Sequence, residues 1–106
     1  MIDARRKGIE FEQNFCKYLK ELGYTAESTR AANRKMDNKK VDIQTNAPFY
    51  FQLKRMERLA PGPVEILKSM PIKAGRPRVL VHKLNNKPTT VTLFLKDFEE
   101  LLLIKK

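Results

Sequence analysis

An aspartate, an amide and a lysine fall close together in the middle of the chain. Asp42 stands in Val41-Asp42-Ile43-Gln44-Thr45, and Gln52 and Lys54 stand in Phe49-Tyr50-Phe51-Gln52-Leu53-Lys54. The first segment alternates apolar and polar residues, the second is rich in aromatics, and Asn46-Ala47-Pro48 between them reads as a turn, so two strands are expected. Successive side chains of a strand point to opposite faces, which puts Tyr50, Gln52 and Lys54 on one side and Phe49, Phe51 and Leu53 on the other. A hairpin closing symmetrically about Ala47 sets Thr45 opposite Phe49 and Asp42 opposite Gln52, with Cβ atoms roughly 5 Å apart. A slip of one residue would turn the apolar set outward, which favours this register.

A second acid can join them from the first helix. Phe11, Phe15, Tyr18, Leu19 and Leu22 recur at helical spacing over residues 5–22, and Gly23 ends the pattern. With about 100° per residue, the apolar stripe centres near Phe15 and Leu22, and Glu12 lies on its flank while Glu10 points to water. A carboxylate on the shoulder of a buried face needs a cation or a hydrogen bond to receive it. Acidic and amide oxygens gathered around one point suit a hard divalent ion such as magnesium. Such an ion activates water and offsets charge on a phosphate, and a neighbouring lysine can orient the water or stabilise the transition state. Taken alone, Asp42 and Lys54 read equally as an ion pair on a solvated sheet face.

The elements that must hold these residues follow in a simple order. After the first helix come strands at Tyr24–Thr29, Val41–Thr45 and Phe49–Lys54, with a basic loop from Arg30 to Lys40 between the first two. Ala60-Pro61-Gly62-Pro63 breaks the chain before a short helix at Val64–Met70. Strands at Val79–Lys83 and Thr89–Leu95 flank a turn at Asn85-Asn86-Lys87. An amphipathic helix, Lys96–Ile104, closes the chain with Phe98, Leu101 and Leu102 expected inward. This is a mixed α/β pattern with no internal repeat, expected as one domain over residues 1–106.

Charge narrows the partner. Twenty-two Lys and Arg against twelve Asp and Glu leave +10 on 106 residues. That balance suits a polyanion, because each phosphate contact releases counterions; a merely soluble basic surface is the plain alternative. Cys16 is the lone cysteine, which excludes an intrachain disulfide and a cysteine-based zinc site, and its neighbours Phe15 and Leu19 suggest a packed thiol. The longest all-apolar run of the closing helix, Leu101 to Ile104, has four residues, far short of a membrane span. A soluble, intracellular, cytoplasmic protein is expected. His82 lies in an apolar strand and reads as a paired core or edge residue. Phe49, Tyr50 and Phe51 could stack on bases but at strand spacing read mainly as core.

Arg6-Lys7-Gly8-x-x-x-Glu12, Gly23-Tyr24, Val41-Asp42-Ile43 and Phe51-Gln52-Leu53-Lys54 occur in that order. Together they resemble the PD-(D/E)xK nucleases, most closely the archaeal-type Holliday junction resolvases, over nearly the whole chain. The resemblance implies a restriction-endonuclease-like core, a central mixed sheet of about five strands flanked by helices. It implies that Glu12, Asp42 and Gln52 ligate Mg2+, for which Mn2+ can substitute, and that Lys54 is the catalytic lysine. It implies hydrolysis of DNA phosphodiesters by a homodimer acting on four-way junctions. Thr29 or Ser28 stands where a resolvase places a hydroxyl after its first strand, and Arg6, Lys7, Arg30 and Lys40 are the expected phosphate contacts. Two positions depart from the pattern. Gln52 replaces the usual Glu and removes one negative charge, as in the Mrr-like restriction nucleases; Val41 replaces the proline before the aspartate. Asp37, a spare acid in the basic loop, is expected to balance charge there. Two other readings stay open: a restriction- or repair-type nuclease of the same superfamily, and a non-catalytic DNA-binding module derived from one.

Overall fold

The computed structural model describes residues 4–32 and 40–104. Helix α1 runs from Ala4 to Glu21. It ends where Gly23 takes the left-handed conformation (φ 99°). There the Tyr24 and Gly23 N–H groups donate back to the Leu19 and Lys20 carbonyls, both at 3.0 Å. That pair of bonds satisfies the last orphan carbonyls, and a glycine adopts it without the steric cost of a Cβ. Strand β1 (Ala26–Ser28) follows and leads directly into a single turn of helix, α2 (Thr29–Ala32). Strand β2 (Ile43–Thr45) pairs antiparallel with β1, Ala26 beside Thr45 and Ser28 beside Ile43.

Strand β3 (Tyr50–Lys54) is followed by helix α3 (Pro63–Ser69), whose first residue is a proline that needs no helical donor. Helix α3 returns the chain to strand β4 (Arg78–His82), parallel to β3 with Gln52 beside Leu80 and Lys54 beside His82. Strand β5 (Thr90–Thr92) turns back antiparallel to β4, and helix α4 (Leu95–Ile104) closes the chain. The β3 and β4 strands are buried on both faces. On one side Phe11, Cys16 and Leu19 of α1 pack against Phe51, Leu53, Val79 and Val81. The Phe15 and Phe51 rings meet edge to face at 5.0 Å there. On the other side Ile66, Leu67 and Met70, at and just beyond α3, cover Leu80 and Tyr50. The alternation expected for residues 49–54 is therefore present, with Phe51 and Leu53 toward α1 and Tyr50 toward α3.

The fold is mixed α and β, and among the described residues its strands lie in a two-stranded and a three-stranded sheet. Asp42 lies between the two. Its carbonyl accepts the Thr29 N–H at 2.9 Å on one side, while its N–H donates to the Phe51 carbonyl at 2.8 Å on the other. Both groups of a regular strand residue point the same way, so a residue that bonds in both directions marks a kink and ends the ladder. The expected β2–β3 hairpin pairing is thus reduced to this one backbone bond.

Two further expectations are corrected. Residues 30–32 belong to α2 rather than to a loop; the remainder of the expected basic loop, with Asp37, falls on residues 33–39, outside the described residues. Helix α4 exists as expected but has no fully buried residue: Phe98 is 45% and Leu102 57% exposed, and Leu101 is half-buried. Phe94, just ahead of its first turn, packs against the core.

Candidate functional site

Asp42 and β3 form the best-defined part of the site. The Asp42 Oδ2 accepts the Leu53 N–H at 2.8 Å, and its backbone N–H reaches the Phe51 carbonyl. The residue between those two contacts is Gln52. Expected opposite Asp42, it is flanked by both bonds from that residue. Gln52 is 5% exposed, and its Oε1 has no hydrogen-bond partner among the described residues. An acceptor buried and left unbonded costs about 1–3 kcal/mol, and either a water or a cation can satisfy it.

Glu12 is more deeply held than the helical wheel suggests. The residues of α1 that are buried are Phe11, Glu12, Cys16 and Leu19, whereas Tyr18 and Leu22 are more than half exposed. At about 100° per residue Glu12 lies inside this arc and not on its shoulder. Its charge is received there. Oε1 accepts the Ser28 hydroxyl at 3.0 Å, and Oε2 accepts Arg30 Nη2 at 3.1 Å. Ser28 and Thr29 tie this carboxylate to Asp42, since the next residue along, Thr29, donates its N–H to the Asp42 carbonyl. Lys54 ends β3, half-buried beside His82, and its ammonium has no hydrogen-bond partner among the described residues.

The donor set is two carboxylates and one amide oxygen. No group of three His, Cys, Asp or Glu side chains able to hold a metal occurs among the described residues. Hard oxygen donors of this kind fit magnesium, which keeps several waters and needs few protein ligands. The unbonded Gln52 oxygen supports the fit. The Arg30 contact opposes it, because Glu12 would have to exchange a guanidinium for the metal.

The expected phosphate contacts separate into two kinds. Arg6 and Lys40 are exposed, Arg6 in an ion pair with Glu10 at 3.1 Å. Lys7 is half-buried and donates to Asn85 at 3.0 Å. Arg30 is half-exposed on Glu12. Thr29 is different: it is fully buried and its hydroxyl donates to the Val41 carbonyl at 2.6 Å. A hydroxyl so placed braces the backbone beside Asp42 and is not presented to a phosphate, and Ser28 is the hydroxyl that reaches a site carboxylate.

Arg76 carries no motif in the sequence and yet holds the site's frame. Its Nη2 donates to the Thr45 carbonyl at 2.8 Å and to the Ala47 carbonyl at 2.5 Å, and its guanidinium sits 5.2 Å over the Tyr50 ring. The turn that carries β2 into β3 is thereby fixed. The Cys16 thiol is buried as expected, and burial raises its pKa, with Glu12 and Glu27 adding to the shift and Lys20 opposing it. His82 also behaves as expected, its Nε2 lying 2.7 Å from the Met56 carbonyl. No helix among the described residues is long and apolar enough to cross a membrane.

Compared with known protein families, curated proteins and solved structures, the chain shows no match.

Proposed function

We propose that this chain is a metal-dependent DNA endonuclease with a restriction-endonuclease-like core. The observation that carries this reading is the flanking of Gln52, with its buried unbonded oxygen, by the two bonds from Asp42. Glu12, Asp42 and Gln52 would hold Mg2+ or Mn2+. When bound, the ion would supply a Lewis acid for the scissile phosphate and a more acidic water. Asp42 stays fixed through Leu53, so its carboxylate needs no reorganisation during the reaction. Lys54, the residue after Leu53 on β3, would bring an ammonium to orient the attacking water or to stabilise charge on the phosphate. The +10 net charge supplies the attraction to DNA, with Arg6, Lys7, Arg30 and Lys40 as backbone contacts.

Branched DNA, a four-way junction above all, is the substrate we favour, cut by a homodimer in the cytoplasm. The apolar face left open on α4 gives such a dimer a surface. A second reading, a DNA-binding module without catalysis, draws on the engagement of both Glu12 oxygens by Ser28 and Arg30. End-labelled junction, linear duplex and single strand, incubated with magnesium, manganese or EDTA, separate these readings. Symmetric junction cuts that require metal and vanish in Lys54→Ala support a resolvase. Equal cutting of all substrates points to a restriction or repair nuclease. Tight binding without cutting in any metal leaves the binding module.

A further inference from the structure

Glu12 has two partners of very different character. Ser28 holds Oε1 from within β1, half-buried. Arg30 holds Oε2 through one nitrogen at 3.1 Å, and its side chain is 45% exposed against 10% for Glu12. A guanidinium has five N–H donors. Among the described residues the only acceptor that Arg30 finds with its side chain is Glu12, so most of its donors face water. Arginine binds phosphate through two parallel bonds, a stronger and more specific contact than the single one made here. Arg30 therefore stands between an internal carboxylate and any phosphate that approaches the outer side of α2.

We propose that Arg30 is a positioning residue that withholds Glu12 from a divalent cation until a DNA phosphate draws the guanidinium away. The proposal rests on the reading of Glu12 as a metal ligand. A buried carboxylate that loses its guanidinium keeps one hydroxyl donor and gains affinity for another cation. Metal and DNA consequently strengthen each other's binding, and by linkage the factor is the same in both directions. Cleavage by the free protein of an unintended phosphate is suppressed, because the metal site is completed only on the DNA backbone.

The test is calorimetric titration of the full chain with MnCl2, with and without a short duplex, in a Lys54→Ala background that keeps the DNA intact. The duplex is expected to tighten manganese binding about tenfold. Arg30→Gln is expected to bind manganese about tenfold more tightly without DNA and to gain at most about twofold from the duplex. Should Glu12→Gln and Asp42→Asn weaken manganese binding while Arg30→Gln keeps the native affinity and the native response to DNA, Arg30 is a fixed strut. The proposal is then overturned and the nuclease reading stands. Absence of manganese binding in every variant overturns both. A measurement on the native chain guards against a misfolded variant: in EDTA, the duplex must shift the Arg30 Nε and the Glu12 carboxylate carbon resonances together. If the Arg30 resonance moves alone, or neither moves, Glu12 is not released and the proposal fails.

Discussion

The carboxylate of Asp42, the residue before β2, and the backbone of Leu53 in β3 are joined by a 2.8 Å hydrogen bond. This bond, with the Asp42 N–H to Phe51, does the work that a β2–β3 ladder would otherwise do. Under the proposed function Asp42 would have a chemical task beside its structural one, and substitutions can separate them. Asn keeps an oxygen for the Leu53 N–H and loses the charge, so Asp42→Asn should cost no more than about 1 kcal/mol in urea unfolding and should abolish metal-dependent cleavage. Asp42→Ala leaves the Leu53 N–H unbonded and should cost roughly 2 kcal/mol more than Asn. Full cleavage by Asp42→Asn would remove the aspartate from the chemistry.

Gln52 offers a sharper separation of stability from function. Leu at this position removes the unbonded Oε1 from a site that is 5% exposed. Gln52→Leu should stabilise the fold by about 1 kcal/mol, a rise in Tm of roughly 5 °C, while cleavage is lost. Gln52→Glu should do the reverse. Without metal a buried second carboxylate should lower stability by roughly 3 kcal/mol, and saturating MnCl2 should restore most of it. Thermal melts with and without manganese read both effects. A Gln52→Glu melt that ignores manganese would place position 52 outside any metal site.

Arg76 tests the frame. Its Nη2 bonds to Thr45 and Ala47 and its stacking on Tyr50 are made by one planar group, which an ammonium cannot reproduce. Arg76→Lys should destabilise by about 1–2 kcal/mol and Arg76→Ala by about 2–4 kcal/mol in urea unfolding. Both should lower cleavage even where the protein remains folded, because the turn that sets Asp42 against β3 loosens. Loss of stability with full cleavage in the folded fraction would show that the turn does not position the site.

Cys16 gives a pH-dependent signature. Burial raises the thiol's pKa, so between the unfolded value of about 9 and the higher folded value the native state keeps a proton that the unfolded state has lost. Stability is unaffected by this group below that window and falls as pH rises through it. Tm should drop more steeply above pH 9 in the native chain than in Cys16→Ala, and a thiol reagent at pH 8 should react fully only after urea is added.

The sequence makes some of this geometry legible and leaves the rest hidden, for physical reasons. Alternation over Phe49–Lys54 identifies the two faces of β3, because a period of two permits no other arrangement of that many apolar residues. The same alternation places Asp42 near Gln52, but it cannot show that Asp42 spends its N–H on β3 and its carbonyl on Thr29. That division depends on which backbone groups compete. Glu12 is placed on the wrong part of α1 because Tyr18 and Leu22, apolar by type, remain exposed and pull the apparent stripe toward themselves. Arg76, between Gly75 and Pro77, has no periodic context at all; only the turn carbonyls that it finds reveal its role. Amphipathic spacing identifies α4 as a helix with an apolar face, and says nothing of what lies against that face.

That last gap leads to a prediction about assembly. Leu95 is 79%, Phe98 45%, Leu102 57% and Ile104 77% exposed along α4. Ile72, 83% exposed, lines a groove with Lys96, Asp97 and Glu100 of the same helix. Scattered apolar residues on a surface are ordinary, but Leu95, Phe98 and Leu102 share one side of a helix that has no fully buried residue, and the proposed homodimer would use that side. A homodimer through this face needs about 800 Å² from each chain. Light scattering after gel filtration should then report twice the chain mass. Phe98→Glu with Leu102→Glu should give the single-chain mass. Neither residue belongs to the buried core, so the folded monomer should melt at a temperature independent of protein concentration, whereas the native melt should rise with concentration. Junction cleavage should become asymmetric, with one strand nicked and the second cut delayed, because two sites no longer act on one junction. A native chain of single mass that still makes paired cuts would show that α4 serves some purpose other than pairing the active sites.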